Sequence, residues 1–278
     1  MSNYTKLSIS ATEEQGDILM AYLSDFPFDS FDYKDGIFGA YAPKEKVELY
    51  HDDIVEMLEG EGFLNYYFED IEQQNWNAVW ESDFEEVEVR GKVLIRAPFH
   101  KAQPNYKGLE IVIQPKMSFG TGHHATTRLM VEMLLGLDLQ SKRVLDMGSG
   151  TGVLAIVAAK LGAESVLAVE IDDMAEESVR ENIELNGVAD RVVSVYGDAT
   201  AIEGKEFDII LANINRNVLL ADMKAYNATL VKGGVLVLSG FLEEDVAILT
   251  RRVKALGYRK MEQSQCDIWR ALRFEKIK

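Results

Sequence analysis

The stretch RVLDMGSGTGVLAIVAAKLGA, residues 143–163, constrains the fold more than any other part of the chain. A short apolar run carries an acid near its end. Glycine then stands at 148, 150 and 152, and an apolar helical pattern follows. Such a stretch reads as a strand, a tight turn and a helix, because glycine admits backbone conformations and close approaches that a Cβ forbids. The alternation continues downstream. SVLAVEI (165–171), RVVSVY (191–196), FDIILANI (207–214) and GGVLVLSG (233–240) read as apolar strands. Helical patterns such as DDMAEESVRENIELNG (172–187) separate most of them. Strands alternating with helices predict an α/β fold with a doubly wound, mostly parallel sheet. Ligands of such sheets bind just past the carboxyl ends of the strands, so the residues there are the first candidates for chemistry.

The upstream third follows a different pattern. YTKLSIS (4–10) alternates like a strand, and TEEQGDILMAYLSDF (12–26) reads as a helix with Thr12 as candidate N-cap and Gln15 as its partial partner. Two further strands meet at Asp35-Gly36, a hairpin-turn pair. KVELYHDDIVEMLEG (46–60) reads as a second helix and LNYYFEDIE (64–72) as a fourth strand. The order β-α-β-β-α-β predicts a small ferredoxin-like domain. RAPFHKAQPNYKG (96–108) holds two prolines and little periodicity, which suggests a linker. The expected organisation is an α/β domain at 1–85, a linker at 86–108 and the larger domain at 109–278.

Charge is distributed unevenly. The chain carries −17, of which −16 lies in residues 1–85, with 20 acidic side chains against four basic ones. Such a region repels phosphates, so no direct nucleic-acid partner is expected. It fits attraction of a basic protein partner. No run of 18 apolar residues is present and the first residues lack the apolar core of a secretory signal. A single cysteine, Cys266, cannot form an internal disulfide. These features lead to the expectation of a cytoplasmic protein with no membrane span, taken to be a monomer.

Past the first strand of the large domain stand Asp146, Gly148, Gly150 and Gly152. A dinucleotide fingerprint would need its third glycine at position 153, which is valine. The G-x-G-x-G spacing, with an acid two residues ahead, resembles motif I of class I S-adenosylmethionine-dependent methyltransferases. That cofactor brings an amino-acid tail and a ribose close to the backbone. The resemblance implies that Asp146 meets the tail's ammonium, directly or through water. Glu170 follows Gly148 by 22 residues, where a carboxylate can accept from a ribose diol. Asp172 and Asp173 suit the start of the next helix. Asp198, after the third strand, is a candidate contact for an adenine amine and equally a turn residue. Asn213, after the fourth, stands where a transferring methyl should emerge. Its amide can accept from an amine nucleophile. The sequence there reads Asn213-Ile214-Asn215-Arg216 and lacks the prolines and tyrosine of the Asn-Pro-Pro-Tyr methyltransferases, which disfavours glutamine or adenine as the acceptor.

FGTGHHATT (119–127) lies just before this core. No lysine follows its glycines as a phosphate loop would require, and adjacent histidines rarely aim at one ion, so no metal site is expected. A glycine-hinged flap over the cofactor pocket remains, with Thr127 in the first turn of the following helix. The hydroxyl could bond the cofactor or, as a helix-start residue, the backbone. His123 and His124 are expected to order the loop. QPKMSFGTGHHATTR (114–128), NWNAVWESDF (75–84) and ANI (212–214) together resemble the bacterial ribosomal protein L-eleven (L11) methyltransferase family. The likeness spans essentially the whole chain. It implies methylation of lysine side chains and the N-terminal amine of ribosomal protein L-eleven, with the small domain recognising the substrate. It also implies cofactor contacts at Thr127, Gly148, Glu170 and Asn213. The family's usual acid after the second strand is aspartate; Glu170 offers the same carboxylate. No side chain stands out as a dedicated general base. Two alternatives are the same fold acting on another protein or a small-molecule amine, and a cofactor-binding scaffold without turnover.

Overall fold

The computed structural model describes residues 4–23, 26–71, 85–115 and 122–278. Two stretches singled out above, residues 75–84 and the 119–121 part of the glycine-histidine loop, lie outside them. The chain divides into two compact units, 1–84 and 85–278.

The first unit runs β1 (Tyr4–Ser10), α1 (Glu13–Leu23), β2 (Ser30–Lys34), β3 (Ile37–Pro43), α2 (Lys44–Gly60) and β4 (Tyr66–Ile71). Its sheet is antiparallel in the order β2-β3-β1-β4, the ferredoxin-like arrangement. The start of α1 is a full capping box. Gln15 N donates to Thr12 Oγ1 at 3.3 Å while Thr12 N donates to Gln15 Oε1 at 2.8 Å. Asp35 (φ 53°) and Gly36 (φ 80°) close the β2–β3 hairpin in the left-handed region that a two-residue turn requires. Leu7, Ile9, Leu19, Phe38, Ile54 and Leu58 form its buried core.

The second unit opens with β5 (Val87–Val89), β6 (Val93–Arg96) and β7 (Leu109–Val112), which form a three-stranded sheet. The range read from the sequence as a linker thus carries two strands. Val87, Val89, Val93 and Ile95 are buried in the same core as helix residues 153–159, which the polar residues 98–108 obscure in the sequence. Then follow α3 (Ala125–Leu135), β8 (Arg143–Met147), α4 (Val153–Lys160), β9 (Ser165–Glu170), α5 (Asp173–Leu185), β10 (Val192–Tyr196), β11 (Phe207–Asn213), α6 (Arg216–Thr229), β12 (Leu230–Leu242), α7 (Val246–Ala255), β13 (Tyr258–Cys266) and β14 (Trp269–Lys276). The seven-stranded sheet has the order β10-β9-β8-β11-β12-β14-β13. Its first five strands are parallel and β14 is antiparallel to both neighbours. Val144 belongs to one apolar core and Leu145 to the other. Helices therefore cover both faces, and this is why the strands read as continuous apolar runs rather than alternating ones. Order reverses at β8, with β9 on one side and β11 on the other, and the carboxyl ends of these strands form the switch point.

Candidate active site

A cavity of about 440 Å³ opens at that switch point. It falls in the range of small-molecule sites. Gly148 and Gly150 line it after β8, Glu170 and Ile171 after β9, Gly197 and Asp198 after β10, and Asn213, Ile214 and Asn215 after β11. The strand ends picked from the sequence therefore converge on one space.

The glycine turn is built for close packing. Gly148 has φ 71°, and a Cβ there would stand 2.2 Å from Ile214 Cγ2. The β8 turn and the β11 loop can approach this closely only while position 148 is bare. Glu170 is buried, and its carboxylate takes three backbone donors: Gly150 N at 2.8 Å, Ile171 N at 2.9 Å and Asp172 N at 3.2 Å. A carboxylate has about four acceptor positions, so capacity for one further donor remains. Asp172 caps α5 by accepting from Ala175 N at 3.0 Å.

Two of the six predicted cofactor residues, Thr127 and Asp146, do not line the cavity. Both are buried behind it, and each keeps one oxygen without a hydrogen-bond partner among the described residues: Thr127 Oγ1 and Asp146 Oδ1. Asn213 Oδ1, in the lining itself, is likewise buried and unpartnered. Of these three atoms only Asn213 Oδ1 belongs to a lining residue, where a ligand donor could satisfy it. Asp146 Oδ2 accepts from Ala155 N at 3.0 Å. Burial, assisted by the charge of Glu170, pushes the Asp146 carboxyl up to about 7.

The loop histidines do order their surroundings. His124 is the N-cap of α3, its Nδ1 accepting from Thr126 N at 3.3 Å and lying 2.7 Å from Thr126 Oγ1. Its ring meets Trp269 edge-on at 4.7 Å, and both line the cavity. Burial and the neighbouring Arg128 charge lower the His124 pKa. His123 Nε2 lies 2.9 Å from Glu85 O.

Sequence reasoning missed Trp269, Gly240, Val218 and Asp222, which also line the cavity. Gly240 sits at a bulge where β12 changes register against β14, and a Cβ there would meet Ile214 O at 2.4 Å. The isolated glycine at the end of GGVLVLSG was the available signal. Val218 and Asp222 stand four apart on α6, so a helical-face reading of residues 216–229 would have paired them. Trp269 carries no such local signal.

A family model described as Ribosomal protein L11 methyltransferase (PrmA) matches residues 5–277. A protein of that name from Porphyromonas gingivalis is 44% identical over 263 residues, spanning 93% of this chain and 90% of the relative. One from Bacteroides fragilis is 38% identical over 267 residues, spanning 95% of each. The crystal structure of ribosomal protein L11 methylase from Lactobacillus delbrueckii subsp. bulgaricus superposes with a TM-score of 0.65 at 26% identity, covering 70% of this chain and 100% of that one. The larger unit is thus a class I methyltransferase fold, and the chain belongs to the ribosomal protein L11 methyltransferase family.

Proposed function

We propose that this methyltransferase uses S-adenosylmethionine to methylate amino groups of ribosomal protein L11, both lysine side chains and the N-terminal amine. The reading is carried by one coincidence. The switch-point cavity joins a glycine turn that a Cβ would obstruct to the buried, unpartnered Asn213 Oδ1 and to a Glu170 carboxylate with one acceptor position left, while Thr127 Oγ1 and Asp146 Oδ1, also buried and unpartnered, lie outside its lining. These groups suit the cofactor's own. Asp146 and Thr127 offer an acceptor and a hydroxyl for the amino-acid tail, directly or through water. Gly148 and Gly150 leave room for it, and Glu170 has one acceptor position for the ribose. When bound, the cofactor supplies a sulfonium methyl that is already activated for transfer.

What remains for the protein is to present a neutral amine in line and to exclude water. At pH 7 deprotonation costs a lysine of pKa ~10.4 about 4–5 kcal/mol and an α-amine near ~7.8 about 1 kcal/mol. Desolvation of the amine in the apolar cavity lowers that cost. Asn213 Oδ1 accepts a hydrogen bond from the incoming nitrogen and orients its lone pair without adding charge. His124 holds the start of α3, and with it Thr126 and Thr127, against the cavity. The acidic first unit attracts the basic substrate protein.

Intact-protein mass spectrometry of unmodified L11 incubated with this protein and S-adenosylmethionine tests the proposal. A ladder of methyl additions is expected. An unshifted mass, with cofactor binding verified in the same sample, would assign the activity to another amine-bearing partner.

A further inference from the structure

Asp222 has no role in the mechanism above, yet it lines the cavity. It lies on α6 four residues after Val218, and both side chains belong to the α6 face that the cavity exposes. Its Oδ2 accepts from the hydroxyl of fully buried Tyr226 at 3.3 Å, which leaves Oδ1 for a ligand. Asp198, also in the lining, has a parallel construction. Its Oδ1 takes both Thr200 N at 2.9 Å and Thr200 Oγ1 at 2.7 Å, which leaves Oδ2. Each carboxylate is oriented through one oxygen and offers the other. Burial and the charge of Asp198 raise the Asp222 pKa, so the two sense each other. Asp198 is exposed and its bonds from Thr200 hold its carboxyl below the usual range, whereas the half-buried Asp222 bears the cost of a like charge nearby, which a group donating to both would relieve. Ile171, Ile214 and Val218 supply apolar lining suited to a flat ring.

We infer that Asp222 is a specificity residue of the cofactor site. Together with Asp198 it accepts the two N–H donors of the adenine amine, one per carboxylate, and rejects purines that carry an oxo group at that position. This assignment rests on reading the cavity as an S-adenosylmethionine site. The chemistry is selective because an amine presents only donors there. An oxo group would aim lone pairs at carboxylate oxygens and leave both acceptors unmatched.

Calorimetric titration of the full chain with S-adenosylhomocysteine and with S-inosylhomocysteine, which differ only at that purine substituent and the adjacent ring proton, tests the inference. The wild-type chain should bind the adenosyl compound about tenfold more tightly or better. Asp222→Asn should weaken the adenosyl compound several-fold and strengthen the inosyl one, because an amide can donate to the oxo group. The ratio should fall below about threefold. Tyr226→Phe keeps the carboxylate but frees its oriented oxygen, and should reduce the ratio partway. Equal wild-type affinities for the two compounds, or an unchanged ratio in an Asp222→Asn protein that melts normally, would overturn the role of Asp222. A variant with unchanged ratio but raised KM for the protein substrate would do so too, moving Asp222 to the substrate amine. Failure of the wild-type chain to bind either compound would instead overturn the cofactor reading itself.

Discussion

Asp146 shows how one buried oxygen ties stability to ligand binding. Its carboxyl is pushed up to about 7 by burial, above its ordinary value of 3.8. The raised pKa means the folded, ligand-free protein favours the protonated form. The associated stability is complete below about pH 4 and is lost as pH rises through about 7, amounting to about 4 kcal/mol. A cofactor ammonium favours the ionised form, so its binding should release a proton. The Kd of S-adenosylhomocysteine should therefore rise by up to about tenfold for each pH unit below 7. Asp146→Asn should raise the melting temperature of the ligand-free protein at pH 8 by several degrees and weaken binding at the same pH. A pH-independent Kd would separate Asp146 from the ammonium. Asn213 should behave oppositely. Asn213→Ala is expected to lower kcat about a hundredfold with little change in cofactor Kd; equal losses in both would remove its positioning role. Motif spacing made the location of these residues legible, since all stand at or just past strand ends. It could not reveal that Asp146, near the end of β8, and Thr127, in the first turn of α3, lie outside the lining, because side-chain direction there depends on what packs beside each element.

At the scale of elements, the two asparagines of α5 connect the glycine turn to the strand that leads toward the glycine-histidine loop. Fully buried Asn182 donates to Thr151 O at 2.9 Å and accepts from Gln114 N at 2.8 Å. Asn186, the C-cap of α5, accepts from Val112 N at 2.9 Å and donates to Val112 O at 2.6 Å. Neither was conspicuous in the sequence, where RENIELNG reads as an ordinary amphipathic helix end. Removing the Asn182 amide would strand one buried and one part-buried backbone group, at about 1–3 kcal/mol each at most. Asn182→Ala should thus lower the melting temperature of the unit at 85–278 by about 5–15 °C. S-adenosylhomocysteine should recover part of the loss by binding only the folded form. A melting temperature within a degree of wild type would show that water replaces the amide at both positions. Besides β5 and β6, read as linker, the β13–β14 hairpin escaped sequence reading. Its strands pair antiparallel at the sheet edge and one face is polar, so the apolar run that announces the parallel strands is missing. Trp269 begins β14 opposite Leu242, and only that pairing brings it to His124 across the chain.

For the whole molecule, charge separates the two units as clearly as topology does. Residues 1–84 carry −15 and the remainder −2. The acidic side chains are spread over the whole of the first unit, from Asp29 and Asp32 through Asp52 and Glu56 to Glu69 and Asp70. Attraction of that kind acts over distance and is screened by salt, with a Debye length of about 10 Å at 0.1 M and about 3 Å at 1 M. It acts on encounter rather than on the transfer step. Methylation of L11 should therefore lose about tenfold or more in kcat/KM between 0.05 and 0.5 M salt, chiefly through KM. S-adenosylhomocysteine, whose proposed site lies within the unit at 85–278, should bind with nearly constant Kd over the same range. Neutralising Asp52, Asp53 and Glu56 on α2 together should flatten the salt dependence of KM while leaving kcat in place. If kcat/KM for L11 held constant as salt rose, the proposed electrostatic role of the first unit in substrate encounter would fall, and its charge would serve only to keep the protein dispersed.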